Sequence, residues 1–328
     1  MEVTIMTTNN MINNIAVVTS GTLVRSGGIQ TVTRTLFENV MPIFYLDKEG
    51  EGNIKAKVEK CEKILFSGFD SQFVDLANWA KSVGKKIAVF WHFSFASEVD
   101  SDVGEAWKSL LPLLCNHKID LFITCKAGQQ QIIEKLFGVM SCLILNNSMD
   151  TSYENEPKEG IGIYSGSGNY WVKNIRPNVY ASLITDKRID IIPYDDTIRE
   201  MVKALGKEER VTGEYRLEHS MFLKRMAGCE LVTYVTFAEG APILPLEALN
   251  NGVICITGDN HGYFCEDSIL HELLVCTRPD DPIAIYDCIT RALKHKDEIL
   301  FRYRRWKDCY DRKQKDNFRN IIKVLEMM

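Results

Sequence analysis

The chain has 328 residues, of which 45% are hydrophobic and 25% charged, and its formal net charge is -5 at pH 7. These values are typical of a globular protein with room for roughly two domains, and the acidic balance gives no support for a nucleic-acid partner. No apolar run reaches the ~18 residues that a membrane span needs, and residues 1–14 lack the basic and apolar regions of a secretory signal. We therefore expect a cytoplasmic protein without a transmembrane segment.

Ten cysteines occur, and none forms a Cys-x-x-Cys pair. Five of them lie in apolar runs typical of strands or helices: Cys115, Cys125, Cys142, Cys255 and Cys276. This placement favours small core side chains in a reducing compartment over disulfides or a zinc site. Asp100 and Asp102 form an Asp-x-Asp motif, but their acidic, polar surroundings favour a solvated helix start over a metal site. We therefore expect neither a metal nor a separate cofactor.

Strand-like and helix-like segments alternate through the first half of the chain. Strands are predicted at residues 15–19, 63–67, 86–91, 119–124 and 141–145. Helices are predicted over residues 29–40, 73–82, 105–114 and 127–137, the third with an interruption at Pro112. This alternation predicts a parallel sheet with helices on both faces.

Two positions in the first half stand where a parallel sheet binds ligands, just past a strand's carboxyl end. Gly27 and Gly28 close the loop at residues 20–28, where glycine lets the backbone approach a ligand closely. The loop is not Gly-x-Gly-x-x-Gly, so the usual dinucleotide fingerprint is absent. His92 directly follows the strand at residues 86–91 and is therefore placed to meet a ligand.

The second half begins after a polar stretch, residues 150–160, which we interpret as an interdomain linker. Strands are predicted at residues 161–165, 189–194, 231–235 and 253–257. Helices are predicted at residues 198–205, 219–227 and 281–294, with a basic, aromatic run at 298–313 and an amphipathic segment at 317–328.

The stretch at residues 231–257 carries the strongest functional signal. It reads as a strand, a loop with two carboxylates, Glu239 and Glu247, a helix whose first turn holds Pro245, and a second strand. Glu239 lies past the strand's carboxyl end and Glu247 in the first helical turn, so both can face one ligand. A carboxylate can accept both hydroxyls of a vicinal diol, and the intervening amides suit a phosphate. The expected ligand therefore carries two diols and a phosphate.

This arrangement, Glu-Gly-x-Pro followed by a second Glu before Ala, resembles the signature of retaining GT-B glycosyltransferases of the family-4 type. The resemblance implies that Glu239 contacts the transferred sugar and that Glu247 holds the donor ribose. It also implies that the residues between them touch the sugar and the phosphate: Gly240, Ala241, Pro242, Ile243 and Leu244.

The same resemblance gives roles to residues elsewhere in the chain. Gly27 and Gly28 match the loop under the donor diphosphate, and His92 matches a histidine near the reacting centre. Lys173 matches the lysine of a basic pair that binds the donor phosphates. The arginine of that pair is missing, because Ser167 stands in its place, and Arg176 is an open candidate to replace it.

The implied fold class is α/β with GT-B architecture, in which two Rossmann-like, doubly wound domains face a cleft. Residues 1–155 would form the acceptor-side domain, joined by a C-terminal helix at 315–328, and residues 156–314 the nucleotide-sugar domain. The implied reaction moves a hexose from a nucleoside diphosphate sugar to a hydroxyl of a glycan or other acceptor, with retention and without a metal. GDP-mannose is slightly favoured over UDP-glucose as donor.

Two alternatives stay open from sequence alone. One is a non-catalytic protein of GT-B fold that binds a nucleotide sugar or a glycan, which the missing arginine favours. The other is a sugar-nucleotide epimerase of GT-B type. A homodimer is compatible with either alternative and with the transferase.

Overall fold

The computed structural model describes residues 12–20, 27–99, 101–146, 153, 158–165 and 170–328. The chain forms two compact units, Met1–Leu145 with Gln314–Met328, and Asn146–Lys313. The predicted boundary between residues 155 and 156 falls outside the described residues and stays a prediction.

The first unit alternates strands and helices as the sequence pattern predicts. Its described strands are β1 Ile15–Thr19, β2 Ile43–Tyr45, β3 Lys63–Ser67, β4 Lys86–Trp91, β5 Leu121–Thr124 and β6 Met140–Leu143. Its described helices are α1 Gly27–Phe37, α2 Leu46–Glu49, α3 Glu51–Lys57, α4 Val74–Ser82, α5 Ser101–Cys115 and α6 Ala127–Phe137.

The six described strands of this unit form one parallel sheet in the order β2-β1-β3-β4-β5-β6. β1 and β3 are buried along their whole length, as expected of apolar strands covered on both faces. From β1 the chain moves in one direction across the sheet to β2, and from β3 it moves in the opposite direction to β4. The carboxyl ends of β1 and β3 therefore flank the position where a doubly wound sheet offers a ligand crevice.

The second unit repeats this plan. Its described strands are β7 Ile161–Tyr164, β8 Ile189–Ile192, β9 Val211–Gly213, β10 Leu231–Tyr234, β11 Ile254–Gly258 and β12 Val275–Cys276. Its described helices are α7 Tyr170–Lys173, α8 Ile175–Ile184, α9 Asp196–Ala204, α10 His219–Ala227, α11 Leu244–Asn250, α12 Ser268–Leu274 and α13 Pro282–Lys294. A last helix, α14 Lys296–Met327, begins in this unit and supplies residues to the first.

The second sheet is also parallel, in the order β12-β11-β10-β7-β8-β9. β7 and β10 pair directly, with Leu231 opposite Ile161, although almost seventy residues separate them along the chain. The strand order reverses between these two strands, so their carboxyl ends flank the ligand crevice of this sheet. Two parallel six-stranded sheets with flanking helices confirm the predicted α/β fold class.

The end of α14 packs into the first unit. Ile321 and Leu325 are buried, and the ring of Phe318 lies 5.6 Å from that of Phe37. Lys63 Nζ donates a hydrogen bond of 2.6 Å to the backbone oxygen of Glu326. This part of α14 therefore belongs to the core of a unit whose other residues are the first 145 of the chain.

Three sequence expectations were wrong in detail. α5 is not interrupted at Pro112, because this proline lies near the helix end and its carbonyl accepts hydrogen bonds from Asn116 N and Nδ2. The two segments predicted at 298–313 and 317–328 are one helix, α14. Cys115 is exposed at the last position of α5 rather than buried in the core.

Within the described residues, no helix combines the length and the apolar character that crossing a bilayer requires. α14, at 32 residues, is the longest helix of the described chain, and charged side chains occur along its whole length.

Candidate functional site

The candidate site is built from two loops that leave neighbouring strands. The β7–α7 connection ends in the short helix that carries Lys173, and the β10–α11 connection carries Glu239. Because β7 and β10 are parallel and paired, both connections leave the same edge of the sheet. The backbone N–H of Phe237 donates to the carbonyl of Val172 at 2.9 Å, and the Phe237 ring stacks on Trp171 at 5.0 Å. These contacts hold the two loops together.

Lys173, Glu239 and Tyr234 form a closed cluster. Lys173 Nζ lies 2.6 Å from Glu239 Oε1 and 3.0 Å from Tyr234 Oη. Tyr234 Oη donates to the same Glu239 oxygen at 2.8 Å. The side chains of Lys173 and Glu239 are only 15% and 12% exposed. The structure therefore brings together two of the predicted residues and adds a tyrosine that the sequence pattern left in a buried strand.

The cluster keeps Lys173 charged. Burial alone would lower its pKa, but the charge of Glu239 and the hydrogen bonds that Lys173 donates to both partners raise the pKa of Lys173 above its ordinary value. Burial, together with the Glu239 charge, raises the pKa of Tyr234, so this hydroxyl stays neutral. A lysine ammonium has three donors, and two are used here. No other described residue takes the third, which is available for an anionic ligand.

In the loop between Glu239 and α11, two backbone carbonyls accept hydrogen bonds, whereas most backbone amides have no described acceptor. Asn146 Nδ2 donates to the carbonyl of Ala241, and Tyr263 Oη donates to that of Pro242 at 2.9 Å. Among the described residues, none accepts a hydrogen bond from the backbone N–H groups of these four residues: Gly240, Ala241, Ile243 and Leu244. Pro242 has no N–H, so it cannot contribute the amide contact that the sequence match gave it.

Glu247 lies in the first turn of α11, as predicted, but is only 4% exposed. Its Oε1 lies 3.1 Å from Nε2 of His219, the first residue of α10, while no described residue bonds its Oε2. The hydrogen bond that Glu247 accepts raises the pKa of His219. The partner of the buried carboxylate was not predicted, because His219 and Glu247 are far apart in sequence and meet only where α10 packs against α11.

The first unit holds the other predicted residues. Gly27 and Gly28 are the first two residues of α1 rather than the end of a loop, and residues 21–26 of the predicted loop lie outside the described residues. His92 follows β4, as predicted, and its Nε2 lies 3.0 Å from Ser67 Oγ at the end of β3. Ser67 Oγ in turn lies 2.7 Å from Thr33 Oγ1 of α1. The roles expected of His92, Gly27 and Gly28 stay predictions.

Enclosure of the His92 ring lowers its pKa to about 3, so the imidazole is neutral at physiological pH. We expect its ring signals in a ¹H–¹⁵N titration to stay constant between pH 5 and 8, while the pKa of His219 lies above its ordinary value of 6.5. The unfolded chain binds a proton at this histidine below its ordinary pKa of 6.5 and the folded chain does not. His92 therefore removes stability as the pH falls from 6.5 towards 3. A His92 midpoint near 6.5 would contradict the enclosed ring.

The remaining candidates that lie within the described residues do not join the cluster. Arg176, considered as a replacement for the missing arginine, is exposed in the first turn of α8. Ser167 and Asp100 lie outside the described residues. Asp102 is exposed in the first turn of α5. Among the described residues, no group of three or more His, Cys, Asp or Glu side chains could hold a metal ion.

No protein-family model and no curated protein matches the sequence. Solved structures do match the fold, and several glycosyltransferases are among them. The lipopolysaccharide outer core galactosyltransferase WaaB is 17% identical at a TM-score of 0.65, with 95% of this chain and 99% of WaaB covered. A trehalose-6-phosphate synthase, described as transferring a glycosyl group with retention, is 11% identical at 0.63, with 96% and 99% covered.

The pneumococcal O-GlcNAc transferase GtfA, in complex with UDP and GlcNAc, is 17% identical at a TM-score of 0.58. The match covers 81% of this chain but only 56% of GtfA. At these identities the likeness establishes the fold, which is the GT-B architecture shared by these glycosyltransferases.

Proposed function

We propose that the protein is a retaining glycosyltransferase that moves a hexose from a nucleoside diphosphate sugar to an acceptor hydroxyl. The observation that carries this proposal is the enclosed Lys173–Glu239–Tyr234 cluster, at the edge where β7 and β10 end. The cluster places a positive and a negative group, both largely shielded from water, beside a run of open backbone amides. Charges in such surroundings act on a ligand more strongly than charges in water.

Each group has one role in the proposed reaction. The amides of Gly240 and Ala241 and the third N–H of Lys173 bind the donor diphosphate, and Glu247 binds the ribose hydroxyls. Glu239 accepts a hydroxyl of the hexose and lies near the positive charge that develops at the anomeric carbon. The bond from this carbon to the diphosphate breaks, and the diphosphate leaves with the electron pair. The acceptor oxygen bonds to the same face, and its proton passes to the leaving oxygen.

Retention is supported by the likeness to the trehalose-6-phosphate synthase, a retaining enzyme. Lys173 can bind the leaving group without releasing Glu239, because one of its three donors is left over. The donor base is less constrained. The sequence resemblance favours GDP-mannose slightly over UDP-glucose, whereas UDP is the nucleotide bound in GtfA. Both donors therefore belong in the first test.

The test is calorimetric titration with UDP-glucose, UDP-galactose, UDP-GlcNAc, GDP-mannose and NAD, followed by a turnover assay with a panel of acceptors. We expect one sugar nucleotide to bind in preference, and its free diphosphate to retain much of the affinity. Transfer with an unchanged anomeric configuration, read by NMR, supports the proposal. Binding of NAD in place of every sugar nucleotide overturns it, and tight binding without turnover on any acceptor favours a non-catalytic binding protein.

Replacing Glu247 by Ala should weaken donor binding by about 1.5–3 kcal/mol, the contribution of hydrogen bonds to a charged group. The reason is that the ribose hydroxyls lose a buried carboxylate that accepts their hydrogen bonds. Titration of the preferred donor measures the loss. Glu230→Ala is a matched control, because Glu230 pairs with Lys187 in the same unit and is not part of the site. Equal losses of donor affinity in the two variants would contradict the proposed role of Glu247 in ribose binding.

Activity should survive chelation, because Lys173 and the loop amides supply the positive charge that a metal supplies in other transferases. We expect the initial rate in excess EDTA to stay within about twofold of the untreated rate, since a catalytic metal is worth several kcal/mol of transition-state stabilisation. Loss of activity in EDTA with recovery in manganese, together with an inactive Asp102→Ala variant, would contradict this assignment.

A further inference from the structure

The pairing of Glu247 with His219 has a consequence for donor binding. Glu247 Oε1 is engaged by His219 Nε2 at 3.1 Å, while the carboxylate's second oxygen has no described partner. The His219 side chain is 56% exposed, whereas that of Glu247 is only 5% exposed. A half-exposed imidazole is therefore hydrogen-bonded to one of the two oxygens of a carboxylate that is otherwise buried.

Among the described residues, few groups act on this imidazole. Glu247 reaches it from α11, and Glu218 precedes it in the chain; both favour its protonated form. The ring of Phe222 lies 6.4 Å away in a stacked orientation, and Phe222 in turn packs against Tyr164. The hydrogen bond with Glu247 is the largest influence, and it raises the pKa of His219. The charge on His219 thus depends on its contact with Glu247.

We propose that His219 competes with the donor ribose for Glu247, so that donor binding displaces the imidazole and releases a proton. The inference rests on the proposed role of Glu247 and adds pH regulation to that site. A ribose diol that donates to both oxygens of Glu247 needs the oxygen that is already bonded to His219. The hydrogen bond between His219 and Glu247 therefore has to break. The exposed ring can turn towards solvent without disturbing the core.

The direction of the proton transfer follows from the position of His219. It is the first residue of α10, a helix of nine residues, and the positive end of the helix dipole lies there. Without Glu247 to balance it, a charged imidazole at this position is disfavoured, and the proton passes to water. Below the raised pKa of His219, the protonated imidazole therefore competes with the donor for Glu247, and above this pKa the competition is relieved. Donor affinity rises with pH and then levels off.

The experiment is calorimetric titration of the full chain with UDP-glucose and with GDP-mannose between pH 5.5 and 8.5, in buffers of different ionisation enthalpy. These sugar diphosphates carry no group that titrates in this range, unlike a free diphosphate with its terminal phosphate. We expect a fraction of a proton to be released near the His219 pKa. We expect affinity at pH 5.5 to be about 1.5- to fivefold weaker than at pH 8.5, the range set by a half-exposed ion pair.

His219→Gln keeps a hydrogen-bond donor beside Glu247 but cannot titrate, so both proton release and pH dependence should disappear. His295→Gln is the control, because His295 pairs with Glu298 elsewhere in the same unit and should leave both unchanged. Proton uptake by the wild type, a pH-independent affinity, or unaltered release in His219→Gln overturns the inference while leaving the transferase proposal standing. Failure of every sugar nucleotide to bind at any pH overturns both.

Discussion

Replacing Glu239 by Gln should lower kcat by about a hundred- to a thousandfold, the usual loss when one group that stabilises transition-state charge is removed. The amide keeps the shape of the side chain and an oxygen that can accept from Lys173 and Tyr234, so the cluster should persist. The negative charge is lost, and it is this charge that opposes the positive charge developing on the sugar. Donor affinity should change little, because the ground-state sugar is neutral.

Single-turnover kinetics with saturating donor, and titration of the same variant, separate the two effects. Glu230→Gln is the matched control: it removes the charge of a carboxylate paired with Lys187, just before β10, and should leave kcat unchanged. A Glu239→Gln variant with the kcat of the wild type would show that Glu239 takes no part in the chemical step. A large loss of donor affinity at constant kcat would make it a binding residue instead.

Replacing Lys173 by Met should have the second largest effect, lowering kcat by about a hundredfold, because the leaving diphosphate loses the ammonium that offsets its charge. Donor affinity should fall as well, since the phosphate is charged before the reaction. The loss should exceed that of Lys187→Met, which removes a more exposed ion pair in the same unit, and that of Lys307→Met in α14.

Lys173→Met also leaves Glu239 enclosed with Tyr234 as a partner, so the thermal midpoint has to be measured beside the kinetics. Tyr234→Phe provides the comparison, because it removes a partner of the same carboxylate without removing charge. If Lys173→Met and Lys307→Met lose equal activity while both stay folded, the phosphate role of Lys173 is wrong.

Nine of the twelve described strands were predictable because they are continuous and apolar, whereas β2, β9 and β12, with only two or three residues each, were not predicted. β1, β3 and β4 begin and end at the predicted residues, since buried parallel strands need no polar alternation and are bounded by polar residues or glycine. Helix α14 was harder to predict. Its polar surface has no strong apolar stripe in the middle, so the sequence pattern breaks although the backbone continues.

The candidate site could be predicted only where its residues stand close together in the sequence or match a known motif. Glu239 and Glu247 stand in one loop and helix, and the family resemblance singled out Lys173, so sequence analysis named all three as candidates. In the sequence, Tyr234 cannot be distinguished from any aromatic residue of a buried strand. Its hydroxyl belongs to the site because Lys173, which follows the neighbouring strand β7, donates a hydrogen bond to it. His219 was missed for the same reason, because its partner comes from a different helix.

The two units differ in when they can be completed during synthesis. Asn146–Lys313 is continuous and can fold as soon as it leaves the ribosome, whereas Met1–Leu145 needs Gln314–Met328. At ribosomal rates of ~5–20 residues per second, the first unit waits roughly 10–40 s after residue 145 for those residues to be made. During that time the surface that later receives Phe318, Ile321 and Leu325 is open to water and to other nascent chains. A chaperone that binds apolar surface would therefore find its target on this unit, which is translated first and completed last.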